Sequence, residues 1–198
     1  MPITNKEMTT DKHNPLQELI TNRRSIFPDR YTGREVSKET LIRLLECANT
    51  APTHKLTQPW RFTVFRGEGR ARLADKLASL YRENTAPEQF LPKKYEATRK
   101  KVLQSAAVIA IQIRYSGAVP QWEELAATAC AVQNLWLAAS AEGIGGYWSS
   151  PGAIKHMGGF LGLAEGEECL GFFYLGYHEE PPRDANRTPV ADKITWEE

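Results

Sequence analysis

Apolar residues along the chain recur at two spacings, and these spacings predict helices that alternate with strands. After Ser37, a residue type that often caps helices, the apolar positions are Leu41, Leu44, Leu45 and Ala48, which share one helical face. Further helices are predicted from Asn14-Pro15, around Leu73, Leu77 and Leu80, over 93–101 and over 122–142. β-branched and aromatic runs predict strands at 60–66, 106–113, 144–148 and 169–177.

The longest predicted helix, 122–142, is apolar almost all round and is therefore expected to be buried on every side. The alternation of helices and strands, without an internal repeat, predicts an α+β or α/β sandwich with one mixed sheet. The length of 198 residues fits a single domain over 1–198. Within it, 1–13 is expected to be flexible, while the polar tail 181–198 carries Trp196, which indicates docking on a partner subunit.

Composition and charge exclude several classes of protein. Hydrophobic residues make up 41% and charged residues 25%, and the net charge of +1 gives no general attraction to nucleic acid or anionic membranes. No apolar run could span a bilayer, and the polar N-terminus has no secretory signal. Three cysteines without a Cys-x-x-Cys pair indicate buried, reduced thiols and a cytoplasmic location. The four histidines show no metal-site spacing.

The first candidate motif is Arg23-Arg24-Ser25, at the end of the first predicted helix. Arg23 continues the apolar stripe of Leu16, Leu19 and Ile20, so its guanidinium needs an anion or acceptors at that helix end. Two guanidinium groups and a hydroxyl can hold a phosphate. Alternatively, the two arginines only complement the helix dipole.

The second motif lies in residues 51–60, where Pro52 and Pro59 restrict a short loop before a strand. The loop presents Thr53, His54 and Gln58, and a glutamine amide can both donate to and accept from the edge of a flat heterocycle. The alternative is an ordinary helix-to-strand turn with His54 on the surface.

The third motif covers residues 143–151 and contains Gly143, Gly145 and Gly146. Glycines allow the backbone to approach a ligand ring closely, although Gly143 is explained as a helix cap. The motif follows a helix, and Trp148 takes the place of the third glycine, so we exclude a dinucleotide-binding fingerprint. Because that fingerprint is absent, FMN rather than FAD is expected.

Taken together and in this order, Arg-Arg-Ser, Ala-Pro-Thr-His-Lys with Gln-Pro-Trp, and Gly-Ile-Gly-Gly-Tyr-Trp resemble the nitroreductase superfamily, most closely its compact branch. The resemblance extends from Pro15 to Trp196. It implies an α/β/α sandwich with a mixed, mainly antiparallel sheet, and an intertwined homodimer with two FMN sites at the interface. The 181–198 tail would wrap the partner subunit.

The resemblance also implies roles for individual residues. The implied cofactor contacts are Arg23, Arg24 and Ser25 at the phosphate, Pro52, Thr53, His54 and Gln58 in the middle loop, Trp148, Ser149 and Ser150 beside the ring, and Arg187 as a C-terminal phosphate contact. The middle loop would belong to the other subunit. No catalytic side chain is required, because a bound flavin carries the chemistry.

The implied function is FMN-dependent NAD(P)H oxidoreduction of nitroaromatics, quinones or related acceptors by a ping-pong mechanism. The glutamate-glycine loop of larger members is not recognisable, so their substrates do not transfer. Alternatives on the same scaffold are an oxygen-dependent flavin-consuming enzyme and a reductive dehalogenase. Outside catalysis, they are a flavin-binding protein without turnover and a plain anion-binding module.

Overall fold

Helices form two layers around one sheet. The computed structural model describes residues 14–198, and the segment 1–13, predicted to be flexible, lies outside them. The helices are α1 (Pro15–Asn22), α2 (Lys38–Asn49), α3 (Glu68–Glu83), α4 (Pro92–Leu103), α5 (Gln121–Ala141) and α6 (Gly158–Leu161). The strands are β1 (Trp60–Phe65), β2 (Ala107–Arg114), β3 (Ile144–Ser149) and β4 (Glu167–Tyr177).

The four strands of residues 14–198 form one sheet in the order β1-β2-β4-β3, and every neighbouring pair is antiparallel. Parallel pairing is confined to an isolated bridge between Ser25 and Gly146. The predicted α+β class with a mainly antiparallel sheet is confirmed.

Side-chain alternation on the sheet builds a core on each face. On β2, Ile109 and Ile111 join the buried cluster beneath α2 and α5, while Val108 and Ala110 join the cluster beneath α3 and α4. The continuous apolar run in the sequence therefore reflects a strand covered on both faces.

Burial of α5 on every side, expected from its composition, is wrong for this chain. Ala131, Leu135 and Ala139 are buried, whereas Trp122 is 69% exposed and Leu125 is 44% exposed. An apolar pattern identifies a surface that avoids water, but it does not tell which chain covers it. None of the helices within residues 14–198 combines the length and apolar content that a bilayer crossing requires.

The expectation of three buried thiols is also only partly met. Cys169 is buried, and burial raises the pKa of its thiol. Cys47 and Cys130 are exposed, because they lie on the outer sides of α2 and α5. Their apolar neighbours in sequence are therefore not their neighbours in space.

The segment after α1 is fastened to the edge of the sheet. The Ile26 amide donates to the Gly146 carbonyl at 3.0 Å. The Tyr31 hydroxyl lies 2.9 Å from the Ile26 carbonyl and 3.0 Å from the Tyr174 carbonyl. Burial raises the pKa of Tyr31, so this hydroxyl stays protonated and remains a donor. The end of α1 is consequently held beside β3.

The glycines of β3 allow close packing within the chain, and the approach of this backbone to a ligand ring stays a prediction. A Cβ on Gly145 would lie 2.7 Å from the Cβ of Ile26, and one on Gly146 would lie 2.2 Å from the Phe173 ring. Real Cβ atoms do not approach other atoms so closely. Gly143, by contrast, has φ +70° after α5 and ends that helix as predicted.

Replacing Gly146 with alanine should destabilise the protein. The added methyl group would force the Phe173 ring or the strand to move, and such overpacking costs about 1–3 kcal/mol. Urea unfolding of Gly146→Ala would measure the loss. Gly159→Ala is the matched control, because its Cβ would meet nothing within 4 Å. Equal stability of the two variants would contradict this account of β3.

Candidate functional site

The Arg23 side chain turns inward at the end of α1. Its backbone N–H donates to the Leu19 carbonyl at 3.0 Å, and its guanidinium carbon lies 4.3 Å from the centroid of the Trp136 ring. Burial lowers the pKa of Arg23, and so do the charges of Arg24 and Arg187. The Arg23 Nη1 atom is buried and has no hydrogen-bond partner within residues 14–198. Arg24 and Arg187 are therefore close enough to Arg23 for their charges to repel its guanidinium.

The expected reason for this inward orientation needs correction. The stripe that Arg23 continues is open to solvent in this chain, since Leu16 is 59% exposed and Ile20 is 50% exposed. Contact with Trp136 on α5, rather than burial of the stripe, holds the guanidinium.

Arg24 closes the helix end, as one of the two interpretations expects, and its contact with a phosphate stays a prediction. Its Nη1 donates to the Thr21 carbonyl at 2.6 Å and to the Arg23 carbonyl at 2.8 Å, and thereby closes the helix end. Its Nε is buried without a partner in the described chain. Arg183 donates to the Ser25 carbonyl at 2.5 Å and brings a further positive charge.

A cavity of about 170 Å³ lies at this arginine cluster. Its lining includes Arg23, Arg24, Arg183 and Glu180. The Glu180 carboxylate lies 3.7 Å from Arg30, outside the cluster. The buried donors without partners and the excess of positive charge suit an anion with several acceptor oxygens.

The predicted ring contacts at the end of β3 do not share one face. Trp148 packs on the α2 and α5 side, and its indole Nε1 is buried without a partner in the described chain. Ser149 points to the opposite side of the strand, where its hydroxyl accepts from Lys101 Nζ at 3.1 Å. Ser150 is exposed. Strand alternation thus separates Trp148 from Ser149.

Lys101 contacts the predicted ring contact Ser149, and the sequence did not single it out, because 93–101 is expected to be a solvated helix. Its Nζ lies 4.4 Å from the ring centroids of both Tyr147 and Tyr174. Burial lowers the pKa of Lys101 to about 8. Thr98 and the buried Val102 are four residues apart and mark the inward side of α4. Lys101 lies at the edge of that side, so this spacing could have indicated its position.

The middle loop is tightly fixed, but to another part of the chain. His54 Nδ1 lies 2.5 Å from Glu123 Oε2, and the Thr53 hydroxyl accepts from the backbone N–H of Gln58 at 3.1 Å. Lys55, Leu56 and Gln58 have φ values of 50°, 55° and 43°. Such left-handed backbone in non-glycine residues is costly and commonly marks functional segments. Pro52 is exposed at the start of the loop.

Two groups of predicted site residues lie at opposite ends of α5. The loop contacts Glu123, whereas Arg23 contacts Trp136. At 1.5 Å per residue, these helix positions are about 20 Å apart. The structure therefore brings Arg187 within electrostatic reach of Arg23, but within one chain it brings neither His54 nor Gln58 to the arginines.

Comparison with known proteins identifies the family. Residues 20–177 match the Nitroreductase family. The chain belongs to the nitroreductase family. A Bacillus subtilis protein provisionally named NAD(P)H nitroreductase YfhC is 30% identical over 189 residues, which are 93% of this chain and 95% of that one. The predicted resemblance is confirmed.

Solved structures of nitroreductase-like proteins share the fold. A nitroreductase-like family protein from Bacillus cereus has a TM-score of 0.82 and 30% identity, covering 94% of this chain and 97% of that one. A provisionally named nitroreductase from Desulfovibrio desulfuricans, solved in complex with FMN, has a TM-score of 0.73 and 26% identity, covering 94% and 98%. The predicted nitroreductase-like fold is confirmed.

In this nitroreductase-family chain, Lys101 should make stability depend on pH. Its pKa is lowered from 10.5 to about 8 in the folded protein, so burial of the charged amine opposes folding below that pH. Its contribution to stability improves as the pH rises from 8 towards 10.5, because only the unfolded chain still binds the proton. The free energy of unfolding of Lys101→Met minus that of wild type should therefore be larger at pH 7 than at pH 9.5.

Urea unfolding of both proteins at the two pH values measures this difference. Lys100→Met is the matched control, because Lys100 is exposed on the same helix. The stability difference between Lys101→Met and wild type could fail to change with pH, or Lys100→Met could show the same change. Either result would show that burial does not perturb the Lys101 amine.

Proposed function

We propose that this chain is an FMN-dependent NAD(P)H oxidoreductase that reduces small acceptors such as nitroaromatics or quinones. Family membership and the NAD(P)H nitroreductase name of the Bacillus subtilis relative support the activity. The FMN complex of the Desulfovibrio desulfuricans protein supports the cofactor. We further propose that donor and acceptor bind in turn, which gives ping-pong kinetics.

The arginine cluster is the observation on which this proposal rests. The FMN phosphate carries two negative charges and several acceptor oxygens, and Arg23 Nη1 and Arg24 Nε are buried donors without a partner in the described chain. Arg187 would add a third charge. In this arrangement the phosphate satisfies the donors and relieves the mutual repulsion of the guanidinium groups.

We place the ring of the flavin along β3, towards Ser149. From Gly146, beside Ser25, to Ser149 the strand advances about 10 Å. When bound, FMN would supply the transfer of hydride from the nicotinamide to the acceptor. Lys101 would place a positive charge next to Ser149. This charge would stabilise negative charge on the nearby edge of the flavin ring.

We also propose a homodimer in which the partner subunit completes each site. Leu16, Ile20, Trp122 and Leu125 are exposed on α1 and α5, and the neighbouring Ala129 would allow close packing of helices. A twofold axis across α5 would bring the partner's middle loop to the arginine cluster and overcome the 20 Å separation.

The proposed role of the tail rests on its exposed apolar residues. Val190 is 70% exposed and Trp196 is 78% exposed. Such side chains would be covered if the tail wraps the partner subunit.

Arg23→Ala should weaken FMN binding about ten- to a hundredfold, because it removes a charge-assisted contact worth roughly 1.5–3 kcal/mol. Arg23→Lys should restore only part of the affinity, since an ammonium group lacks the planar fork. Flavin fluorescence quenching at one salt concentration gives the affinities. Arg72→Ala, at an exposed position of α3, is the control. Wild-type affinity in Arg23→Ala would refute the anchoring role.

Mixing two variants, each expected to bind FMN weakly, would test the shared site. If Arg23 of one chain and Gln58 of the other serve one flavin, each hybrid dimer of Arg23→Ala with Gln58→Ala has one intact site. Random exchange after refolding together would then restore about a quarter of the FMN sites. No recovery beyond the two separate variants would mean that one chain supplies both residues, or that Gln58 is not a contact.

A further inference from the structure

A second cavity, of about 520 Å³, opens between α3, α4 and the segment 152–156. Its size lies in the range of small-molecule sites. Lys94, Lys101, Lys155 and His156 line it as basic residues, and within residues 14–198 no carboxylate lines it. Of these cations only Lys101 has a proposed role at the flavin ring, and Lys94, Lys155 and His156 have none there.

These cations have no carboxylate partners in the described part of the chain. None of the salt bridges within residues 14–198 includes Lys94, Lys101 or Lys155. Lys94 Nζ lies 4.9 Å from the centroid of the Tyr81 ring, and Lys101 donates to Ser149. Within residues 14–198, no carboxylate therefore pairs with the lysines of the cavity.

The rest of the lining is apolar, aromatic or already hydrogen-bonded. Leu77, Leu80 and the rings of Tyr81 and Tyr174 supply flat or apolar walls. The Asn84 amide donates to a backbone carbonyl at 2.8 Å, and the hydroxyls of Thr98 and Thr85 donate to others at 2.9 Å and 2.5 Å. The available recognition chemistry is thus apolar surface and positive charge.

This cavity adjoins the place where we expect the flavin ring. Lys101 belongs to both, because it lines the cavity and donates to Ser149 at 3.1 Å. Pro151 and Gly152, which directly follow the proposed ring contacts, also line it. A molecule in the cavity would accordingly lie next to the ring.

We propose that this cavity binds the electron acceptor and selects aromatic acceptors that carry a carboxylate or similar anionic group. The inference rests on the proposed oxidoreductase function and names its substrate class. For a nitroarene the two-electron reaction is NAD(P)H + H⁺ + ArNO₂ → NAD(P)⁺ + ArNO + H₂O. The anionic group would be held by Lys94 and Lys155 at the mouth, and the ring would lie against the tyrosines.

Two acceptors of nearly equal shape test this selection: 4-nitrobenzoate, which is anionic, and 4-nitrobenzamide, which is neutral. Wild type should have the higher kcat/KM for the benzoate. Lys94→Gln and Lys155→Gln should each lower the ratio of the two kcat/KM values about two- to fivefold, the effect of an exposed charge pair. Lys100→Gln, exposed on α4 but outside the cavity, should leave the ratio unchanged.

Calorimetric titration of the purified protein with 4-nitrobenzoate, without NAD(P)H, adds a binding readout. The same substitutions at 94 and 155 should weaken this binding, and added salt should reduce the difference from the control. If NAD(P)H reduces the bound flavin but neither the ratio nor the binding changes in the variants, the acceptor inference is wrong and the proposed function stands.

Other outcomes overturn the assignment in distinguishable ways. If Lys94→Gln and Lys155→Gln instead lower the FMN content of the purified protein, the cavity holds the flavin itself. If they raise only the KM for NAD(P)H, it holds the donor. If wild type contains flavin that neither nicotinamide reduces, the proposed function fails, and the assignment of an acceptor fails with it.

Discussion

The contact of the Arg23 guanidinium with the Trp136 ring is the interaction on which the site depends. It holds a positive charge partly out of water at the end of α1, with a buried N–H that no other group of the described chain accepts. Arg24 and Arg187 add like charges that oppose this arrangement. A cluster of this kind is unfavourable on its own and becomes favourable when a polyanion binds. The proposed FMN site follows from that requirement.

The remainder of the fold keeps the arginine cluster beside β3. Tyr31 links the segment after α1 to two carbonyl groups, and Gly145 and Gly146 allow that segment and Phe173 to approach the strand. β3 then leads from the cluster to Ser149, where Lys101 supplies the next positive charge. Positive charge thus continues from the proposed phosphate site to the proposed acceptor cavity, and this order suits a cofactor and a substrate that both carry negative charge.

Local patterns were sufficient to predict the main helices and strands, but they gave the wrong reason for the inward position of Arg23, because the stripe that it continues is exposed. The spacing in α2 and the apolar run of β2 depend on neighbours in sequence, which a single chain displays directly. Contacts between distant segments were not accessible in this way: Lys101 meets Ser149, and His54 meets Glu123, only after the chain has folded. The open face of α5 was misjudged because an apolar pattern is the same whether its own chain or a second one covers it.

The relative affinity of the wild-type protein for FMN and riboflavin tests the central claim most directly. The two ligands share the ring and the ribityl chain and differ only in the phosphate. If the unpartnered donors of Arg23 and Arg24 hold that phosphate, FMN should bind about a hundredfold more tightly or better, as expected for two charge-assisted hydrogen bonds. Equal dissociation constants for FMN and riboflavin, measured by fluorescence quenching at the same salt concentration, would contradict the account.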